Sequence, residues 1–446
     1  MSVVPGEYAI TGSRASDIAA SVEQGVSSGE LPPGSVLPPM RELASRLGVN
    51  PNTVAAAYRI LRERGLIETD GRRGSRVRAR PATLAREAIR TELPPGVRDI
   101  ATGNPDPTLL PPLTDALAAA ARRYTHRPRL YGDDAVVPEL ERAARAGFDA
   151  DGVPAGPIVL TSGALDAVER VLSAHLRPGD AVAVEDPGWG SLLDLVPAMG
   201  LKVLPVALDD DGPLPYSVAT ALDKGARALI VTDRAQNPTG ATVSADRAAE
   251  LRALLERHPN VLVIEDDHGH AIVEQPLHTL AGATRTWALV RSTAKAYGPD
   301  LRLAFLTADR VTADRVQGRY QLGPGWVSGL LQYAVVDLWE QGTLDTAAVA
   351  RSYRVRREAL IAALERRGVA ARGRSGLNVW VPVADETGTV ARLQAAGWAV
   401  APGARFRVES PPGVRLAVSQ LAAGDVEELA AAVAEAVRPG RAVRYG

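Results

Sequence analysis

Ser292-Thr293-Ala294-Lys295-Ala296-Tyr297-Gly298-Pro299-Asp300-Leu301-Arg302 holds one of only three lysines in the chain, although 51 residues are lysine or arginine. The other two are Lys202 and Lys224. Arginine replaces lysine wherever a positive charge is enough, but its guanidinium stays protonated and cannot form a Schiff base. A lysine three residues after a serine and seven before an arginine therefore suggests an aldehyde cofactor that carries a phosphate. Taken alone, the segment also fits a surface lysine that has drifted in, so its companions matter.

Working outward, apolar runs rich in β-branched residues alternate with helical stretches from about Asp99 onward. They include Ile158-Val159-Leu160, Ala181 to Val184, Val203 to Val206, Ala228 to Thr232, Val261 to Ile264, Thr286 to Val290 and Ala304 to Leu306. Strands of this kind separated by helices build a mostly parallel sheet buried on both faces, with the ligand crevice at the strand ends. Thr161-Ser162-Gly163-Ala164 follows one such strand and opens a helix, so its N–H groups can hold a phosphate at the positive helix end. Ser292 and Arg302 would add a hydroxyl and a charged fork. Lys295 supplies the amine, and Trp189 a flat face for a ring to stack on. Asp266, at a strand end, suits a protonated pyridine nitrogen, and Asn237 in Asn237-Pro238-Thr239-Gly240 can donate to a phenolic oxygen. Each piece also has a plain reading as helix start, core residue or turn. Asp266-Asp267-His268 with His270 could instead hold a metal.

The N-terminal end differs in charge. Between Arg41 and Arg80 there are ten arginines and four acids, while the whole chain carries a formal charge of -1. Ala15 to Ser28 places Ile18, Ala19, Val22 and Val26 on one helical face. Met40 to Leu47 reads as a second helix, and Asn50 as N-cap with Pro51 at the first position starts a third, running to about Arg64. Two strands, Gly65 to Glu68 and Ser75 to Arg78, follow around Asp70-Gly71-Arg72-Arg73-Gly74, which makes a winged helix-turn-helix. Asn50, Asn52 and Thr53 can reach base edges of double-stranded DNA. Arg41, Arg59, Arg72 and Arg73 suit phosphates or grooves, and Gly74 permits close approach of the wing. A winged helix that serves protein contacts is the alternative. The expected organisation is residues 1–79 for this module, 80–98 for a Pro/Gly-flanked linker and 99–446 for the large region.

At 446 residues, 46% hydrophobic and 23% charged, two or three cores are expected. The absence of cysteine excludes disulfides, thiolate metal sites and cysteine nucleophiles. Met1 to Ile10 has no basic region followed by an apolar core, and no run reaches about 18 apolar residues, so a cytoplasmic protein is expected.

Leu37-Pro38-Pro39-Met40-Arg41-Glu42-Leu43-Ala44 through Thr53-Val54 and Gly74-Ser75 resembles the GntR class of bacterial repressors. Pro51 and Ala55 stand where those relatives often carry arginines, which implies sparser base readout. The order Tyr131-Gly132, Ser162-Gly163-Ala164, Asn237-Pro238-Thr239-Gly240, Asp266, Ser292-x-x-Lys295 and Arg302 resembles fold-type I aminotransferases. Together the halves look like the MocR family of transcription regulators. The resemblance implies an α/β aminotransferase fold with a smaller C-terminal α+β subdomain, and a homodimer binding pyridoxal 5'-phosphate through a Schiff base with Lys295. It further implies that Asp266 pairs with the ring nitrogen, Tyr131 reaches the neighbouring subunit's phosphate, and Arg415 grips an effector carboxylate. His268 departs from the tyrosine common in such regulators; its imidazole is expected to reach the phenolic oxygen and to titrate near neutrality. The implied ligand is the cofactor itself or its adduct with a small amine or amino acid, with vitamin B6 sensing in some members. The rival reading is an active aminotransferase with an accessory winged helix; a third is an empty dimerisation scaffold.

Overall fold

The computed structural model describes residues 8–28, 30–32, 34–63, 66–69, 74–77 and 93–438, in two compact units. In the N-terminal unit, α1 (Ala15–Ser28), α2 (Met40–Leu47) and α3 (Pro51–Glu63) precede β1 (Ile67–Thr69) and β2 (Ser75–Val77). The apolar stripe read from the sequence is the core: Ile18, Ala19, Val22 and Val26 pack with Leu43, Val54, Tyr58 and Leu61. Each such aliphatic side chain taken from water contributes roughly 1.5–3 kcal/mol. Gly48 ends α2 in the left-handed conformation, φ +65°, where a side chain would be strained. Asn50 starts α3, its Oδ1 accepting the Asn52 amide at 2.8 Å.

The wing strands pair antiparallel, Ile67 with Val77 and Thr69 with Ser75. A third extended segment, not foreseen, adds to the ribbon through Val36 beside Arg76, with the Leu37 amide on Ser75 and the Val77 amide on Ser35. Gly74 has φ +82° and open space around it. Arg72, Arg73 and residues 80–92 of the expected linker lie outside the described residues. Arg98, read as the last linker residue, begins a strand.

That strand, β3 (Arg98–Asp99), opens the large unit, followed by α4 (Thr114–His126) and α5 (Pro138–Ala150). Strands and helices then alternate: β4 (Ile158–Thr161), α6 (Ala164–His175), β5 (Ala181–Asp186), α7 (Gly190–Ala198), β6 (Lys202–Asp209), β7 (Gly212–Pro213), α8 (Pro215–Asp223) and β8 (Ala226–Thr232). After α9 (Ala245–Leu255) come β9 (Leu262–Asp266), β10 (Thr286–Ser292) and β11 (Ala304–Ala308), then α10 (Arg310–Gln321), α11 (Gly329–Glu340) and α12 (Thr346–Glu365). Eight strands form one sheet in the order β4-β11-β10-β9-β8-β5-β6-β7. β8, β9 and β10 are parallel neighbours, as the buried apolar runs suggest. β11 runs antiparallel to both β10 and β4, so the sheet is mixed; an apolar run shows burial and not direction. Leu140, Phe148, Leu160, Val231, Val263 and Leu289 belong to the core on this sheet.

The smaller subdomain holds β12 (Asn378–Pro382), α13 (Glu386–Ala395), β13 (Trp398–Ala399), β14 (Ala401–Pro402), β15 (Gly413–Ala417) and α14 (Val426–Ala436). β12, β15 and β14 form its sheet, and β13 pairs in parallel with β3. Arg98 is fixed there by the Trp398 ring, 3.6 Å below its guanidinium, and by Asp425 and Glu428.

Candidate functional site

Sheet register gathers the site. Thr232, Asp266 and Val290 stand side by side on β8, β9 and β10, so the chain leaves all three strands at the same edge. Beyond that edge lie Asn237, His268 and Lys295. Antiparallel β4 and β11 place Thr161 opposite Ala304, which brings Gly163 beside Arg302. These segments border a cavity of ≈ 990 Å³. Its lining includes Gly163, Ala164, Trp189, Asn237, Asp266, His268, Ser292, Lys295, Arg302 and Arg415.

Gly163 is required twice over. Its φ is +114°, and a Cβ there would stand 2.7 Å from Arg302 Nη2. Arg302 itself has a left-handed backbone, φ +45°, uncommon for a residue with a side chain, and its Nη2 donates to the Ser162 carbonyl. A backbone turn and a guanidinium are thus held together at the start of α6, the arrangement that receives a phosphate. Ser162 contributes only its carbonyl, which accepts from Arg302, because its amide donates to Asp166 at 2.8 Å and its hydroxyl bonds Tyr320 at 2.9 Å. It is not part of the cavity lining, and its amide is already spent on Asp166, contrary to the expectation that this N–H helps hold a phosphate.

Lys295 Nζ donates to the Gly103 carbonyl. Asp266 is 3% exposed; its Oδ2 meets His268 Nδ1 at 3.0 Å, while its Oδ1 is buried with no hydrogen-bond partner among the described residues. A buried, unsatisfied carboxylate oxygen is costly, and a donor brought by a ligand would satisfy it. Arg415 is 5% exposed. It donates to Asn237 Oδ1 at 2.8 Å and to the Ala101 carbonyl, and lies 4.6 Å over the Phe406 ring.

His268 requires a correction. Its Nδ1 faces the Asp266 carboxylate and its Nε2 faces the Ala235 carbonyl at 2.9 Å, so neither nitrogen is left for a phenolic oxygen. Both partners are acceptors, so both nitrogens carry protons. Burial opposes this charge, but the Asp266 carboxylate outweighs it and the pKa is raised. The expectation of a contact to the phenolic oxygen is replaced by an imidazole held between Asp266 and the Ala235 carbonyl, its pKa raised above the ordinary histidine value.

The alternative metal set does not assemble as read. The acids and imidazole that converge are Asp151, Asp267 and His270. Asp267 is engaged by Arg234 and Arg291 at 2.7 and 2.8 Å, and Asp151 by Arg291. Arginine already neutralises those carboxylates. Tyr131 lies outside the cavity lining, 93% exposed, its ring edge-on to Trp326 at 5.3 Å. In the winged helix, Arg41, Asn50, Asn52, Arg59 and Gly74 are exposed and Thr53 is half-buried.

The sequence reading missed Gly103, Asn104, Arg405, Phe406 and Asn378, all of which line the cavity. Asn378 is 5% exposed and its Oδ1 has no partner among the described residues. One signal was available for it: a carboxamide inside the apolar run Leu377 to Val381.

Glu185, at the end of β5, accepts from Gln236 Nε2 at 3.0 Å and the Thr232 amide at 3.1 Å. Complete burial pushes its pKa up to about 7 despite those bonds.

Residues 97–433 match the family described as aminotransferase class I and II, and residues 14–77 match the gntR family of bacterial regulatory proteins. The chain is 41% identical to the vitamin B6 salvage pathway transcriptional repressor PtsJ of Salmonella typhimurium, over 96% of this chain and 99% of that protein. It is 26% identical to the probable rhizopine catabolism regulatory protein MocR of Rhizobium meliloti, over 76% and 75%. In fold it is similar to LysN, an alpha-aminoadipate aminotransferase of Thermus thermophilus, with a TM-score of 0.67, 24% identity and coverage of 77% and 93%. With a gntR-type winged helix and a class I and II aminotransferase domain in one chain, and a relative of both parts along its full length, the protein belongs to the MocR family of GntR-type transcription regulators.

Proposed function

We propose that this regulator holds pyridoxal 5'-phosphate on Lys295 and responds to it, or to its adduct with a small amine or amino acid, by changing how its winged helices bind DNA. The observation that carries the reading is the Asp266 carboxylate, whose Oδ1 is buried with no hydrogen-bond partner among the described residues, in the same cavity as Lys295. A protonated pyridine nitrogen is the donor such an oxygen lacks. When bound, the cofactor supplies a ring that withdraws electrons from an attached amine.

The chain's own residues divide the binding work. Lys295 gives the amine for covalent attachment, and Trp189 offers a ring face. Gly163 and Ala164, with Ser292 and Arg302, receive the phosphate. His268, held against Asp266 Oδ2, fixes which carboxylate oxygen remains for the ligand. Asn237 and Arg415 hold one another until an effector carboxylate takes the Arg415 fork. Tyr131, exposed on its own protomer, is left for the neighbouring subunit of a homodimer. The likeness to PtsJ supports vitamin B6 metabolism as the regulated process, and a regulator of that kind acts in the cytoplasm. In the winged helix, Asn50, Asn52 and Thr53 read bases while Arg41, Arg59, Arg72, Arg73 and Gly74 meet the backbone or grooves. The proposed division is 1–79 for DNA, 80–98 for the connection and 99–446 for ligand and dimer.

To move the heads, the ligand must bind one arrangement more tightly, typically by about 1–3 kcal/mol. Purified protein given pyridoxal 5'-phosphate should develop visible imine absorption and alter its operator affinity, and Lys295→Ala should lose both. Protein that stays colourless overturns the reading. An unchanged DNA response in Lys295→Ala would favour the scaffold. A second reading, an active aminotransferase, is favoured by the buried Arg415 in the cavity. Sustained turnover with amino and keto acids above about 1 per second would establish it.

A further inference from the structure

The lysine-bearing segment has two sides. Ser292, Ala294 and Lys295 line the large cavity, whereas Ser292, Thr293 and Tyr297 line a second one of ≈ 240 Å³. Aromatic rings wall this second space: Phe148 from α5, Phe305 from β11, Trp339 from α11 and Tyr297 itself. Trp339 stacks on Phe305 at 5.1 Å and stands edge-on to Tyr297 at 6.4 Å.

Besides the hydroxyl-bearing Ser292, Thr293 and Tyr297, two nitrogen-bearing side chains line the same space, Arg291 and His270. Arg291 is only 4% exposed and lies 4.5 Å over the Phe148 ring. Its Nε and Nη2 are taken by Asp267 and Asp151. Its Nη1 lies beside Gly147, 3.7 Å from where a Cβ would be, and has no hydrogen-bond partner among the described residues. A guanidinium nitrogen without a protein acceptor, on a largely buried side chain that lines a cavity, is a donor open to a ligand. The His270 ring likewise has no hydrogen-bond partner among the described residues. Burial, with Arg291 beside it, lowers its pKa to about 4, so it is a neutral donor and acceptor.

Charge selects the occupant. Arg234 and Arg291 are offset by Asp267 and Asp151, so an anion entering beside Arg291 also meets two carboxylates. A cation meets Arg291. An uncharged ring pays neither cost and gains the aromatic walls. An apolar cavity of about 150 Å³ admits benzene, so this one takes a single ring with one or two small substituents.

We propose that this second cavity is a binding site for an uncharged, single-ring aromatic molecule bearing hydroxyl groups, whose oxygen accepts from Arg291 Nη1 and whose second polar group meets His270. Because Ser292 is shared, such a ligand touches the segment that carries Lys295 from the opposite side. The site does not depend on what occupies the large cavity.

4-Hydroxybenzyl alcohol is a suitable probe, titrated into the full chain by calorimetry with and without pyridoxal 5'-phosphate. One probe per chain should bind saturably in both forms, and benzoate should bind at least tenfold more weakly. Probe binding should also quench Trp339 fluorescence, and Trp339→Phe should lose that part of the quenching. Gly147→Leu, which fills the cavity from a helix position that favours leucine, should weaken the probe at least tenfold, whereas Gly147→Ala should fold as the parent does. Absence of saturable binding, displacement of the probe by pyridoxal 5'-phosphate, or preference for benzoate would overturn the proposal. If Gly147→Leu does not fold, the Trp339 quenching still locates the probe. A chain that fails to bind pyridoxal 5'-phosphate but takes the probe would sink the proposed function alone.

Discussion

At the scale of single residues, the site is built from constraints that the motifs do not state. His268 is the clearest, since two acceptors, the Asp266 carboxylate and the Ala235 carbonyl, define its protonation. Nitrogen NMR of histidine-labelled protein at pH 7 should show His268 protonated at both Nδ1 and Nε2. A neutral tautomer there would contradict the assignment. The Asp266 contact raises its pKa, so it stabilises the fold fully below the unfolded value and less as pH rises through the raised one. Gly163 is the second case: alanine there would combine a left-handed φ with a Cβ 2.7 Å from Arg302 Nη2. We expect Gly163→Ala to cost about 1–2 kcal/mol of stability and at least tenfold in affinity for pyridoxal 5'-phosphate, read by denaturation and absorbance titration. Residue types were legible here from spacing: Lys295, Asp266, Asn237 and Arg302 all reach one cavity. Which atoms point where was not legible, since the Ser162 hydroxyl is spent on Tyr320 and His268 Nε2 on the Ala235 carbonyl, both brought close only by the fold.

At the scale of elements, helices and strands follow from patterns that local physics enforces. The 3.6-residue apolar stripe of α1 is the buried face, and Asn50 caps α3 as its position suggested. Replacing that cap should cost about 1 kcal/mol. Asn50→Ala is therefore expected to lower the winged helix's denaturation midpoint, and its effect on DNA must be compared with that loss. Two changes that leave the cap intact separate phosphate contact from base readout. Arg41→Ala should weaken all operators alike and reduce the salt dependence, whereas Asn52→Ala should relax preference at particular bases. Equal effects on every sequence from both would contradict those roles. The extended segment through Val36 went unread because it is short, proline-flanked and defined only by the strand it joins. The direction of β11 was hidden for a related reason: Ala304 to Ala308 is buried on both faces whichever way it runs.

At the scale of the whole molecule, burying acids beneath the crevice has a consequence for stability. Glu185 is at about 7 in the folded chain, against an ordinary glutamate value of 4.5. Between those two pH values the folded state binds the proton more tightly than the unfolded chain. Its contribution is complete below about pH 4.5 and is lost as pH rises through 7. At about 1.4 kcal/mol per pKa unit the loss is on the order of 3–4 kcal/mol. Denaturation curves should therefore show parent stability falling more steeply from pH 5 to 8 than that of Glu185→Gln. Parallel pH profiles would show that the carboxyl is not held neutral.

The sequence by itself determined the local chemistry: which segments are helical or extended, where charge concentrates, and that one lysine stands in a phosphate-and-ring constellation. Those properties depend on periodicity, capping and residue type, which act over a few neighbours. Only the tertiary structure decided that β11 runs backward, that His268 is spent on Asp266, that Asn378 and Gly103 border the cavity, and that Arg291, its Nε and Nη2 taken by Asp267 and Asp151, lines a second cavity. These depend on how the packed chain places its groups, where each hydrogen bond is settled by whichever acceptor comes within reach.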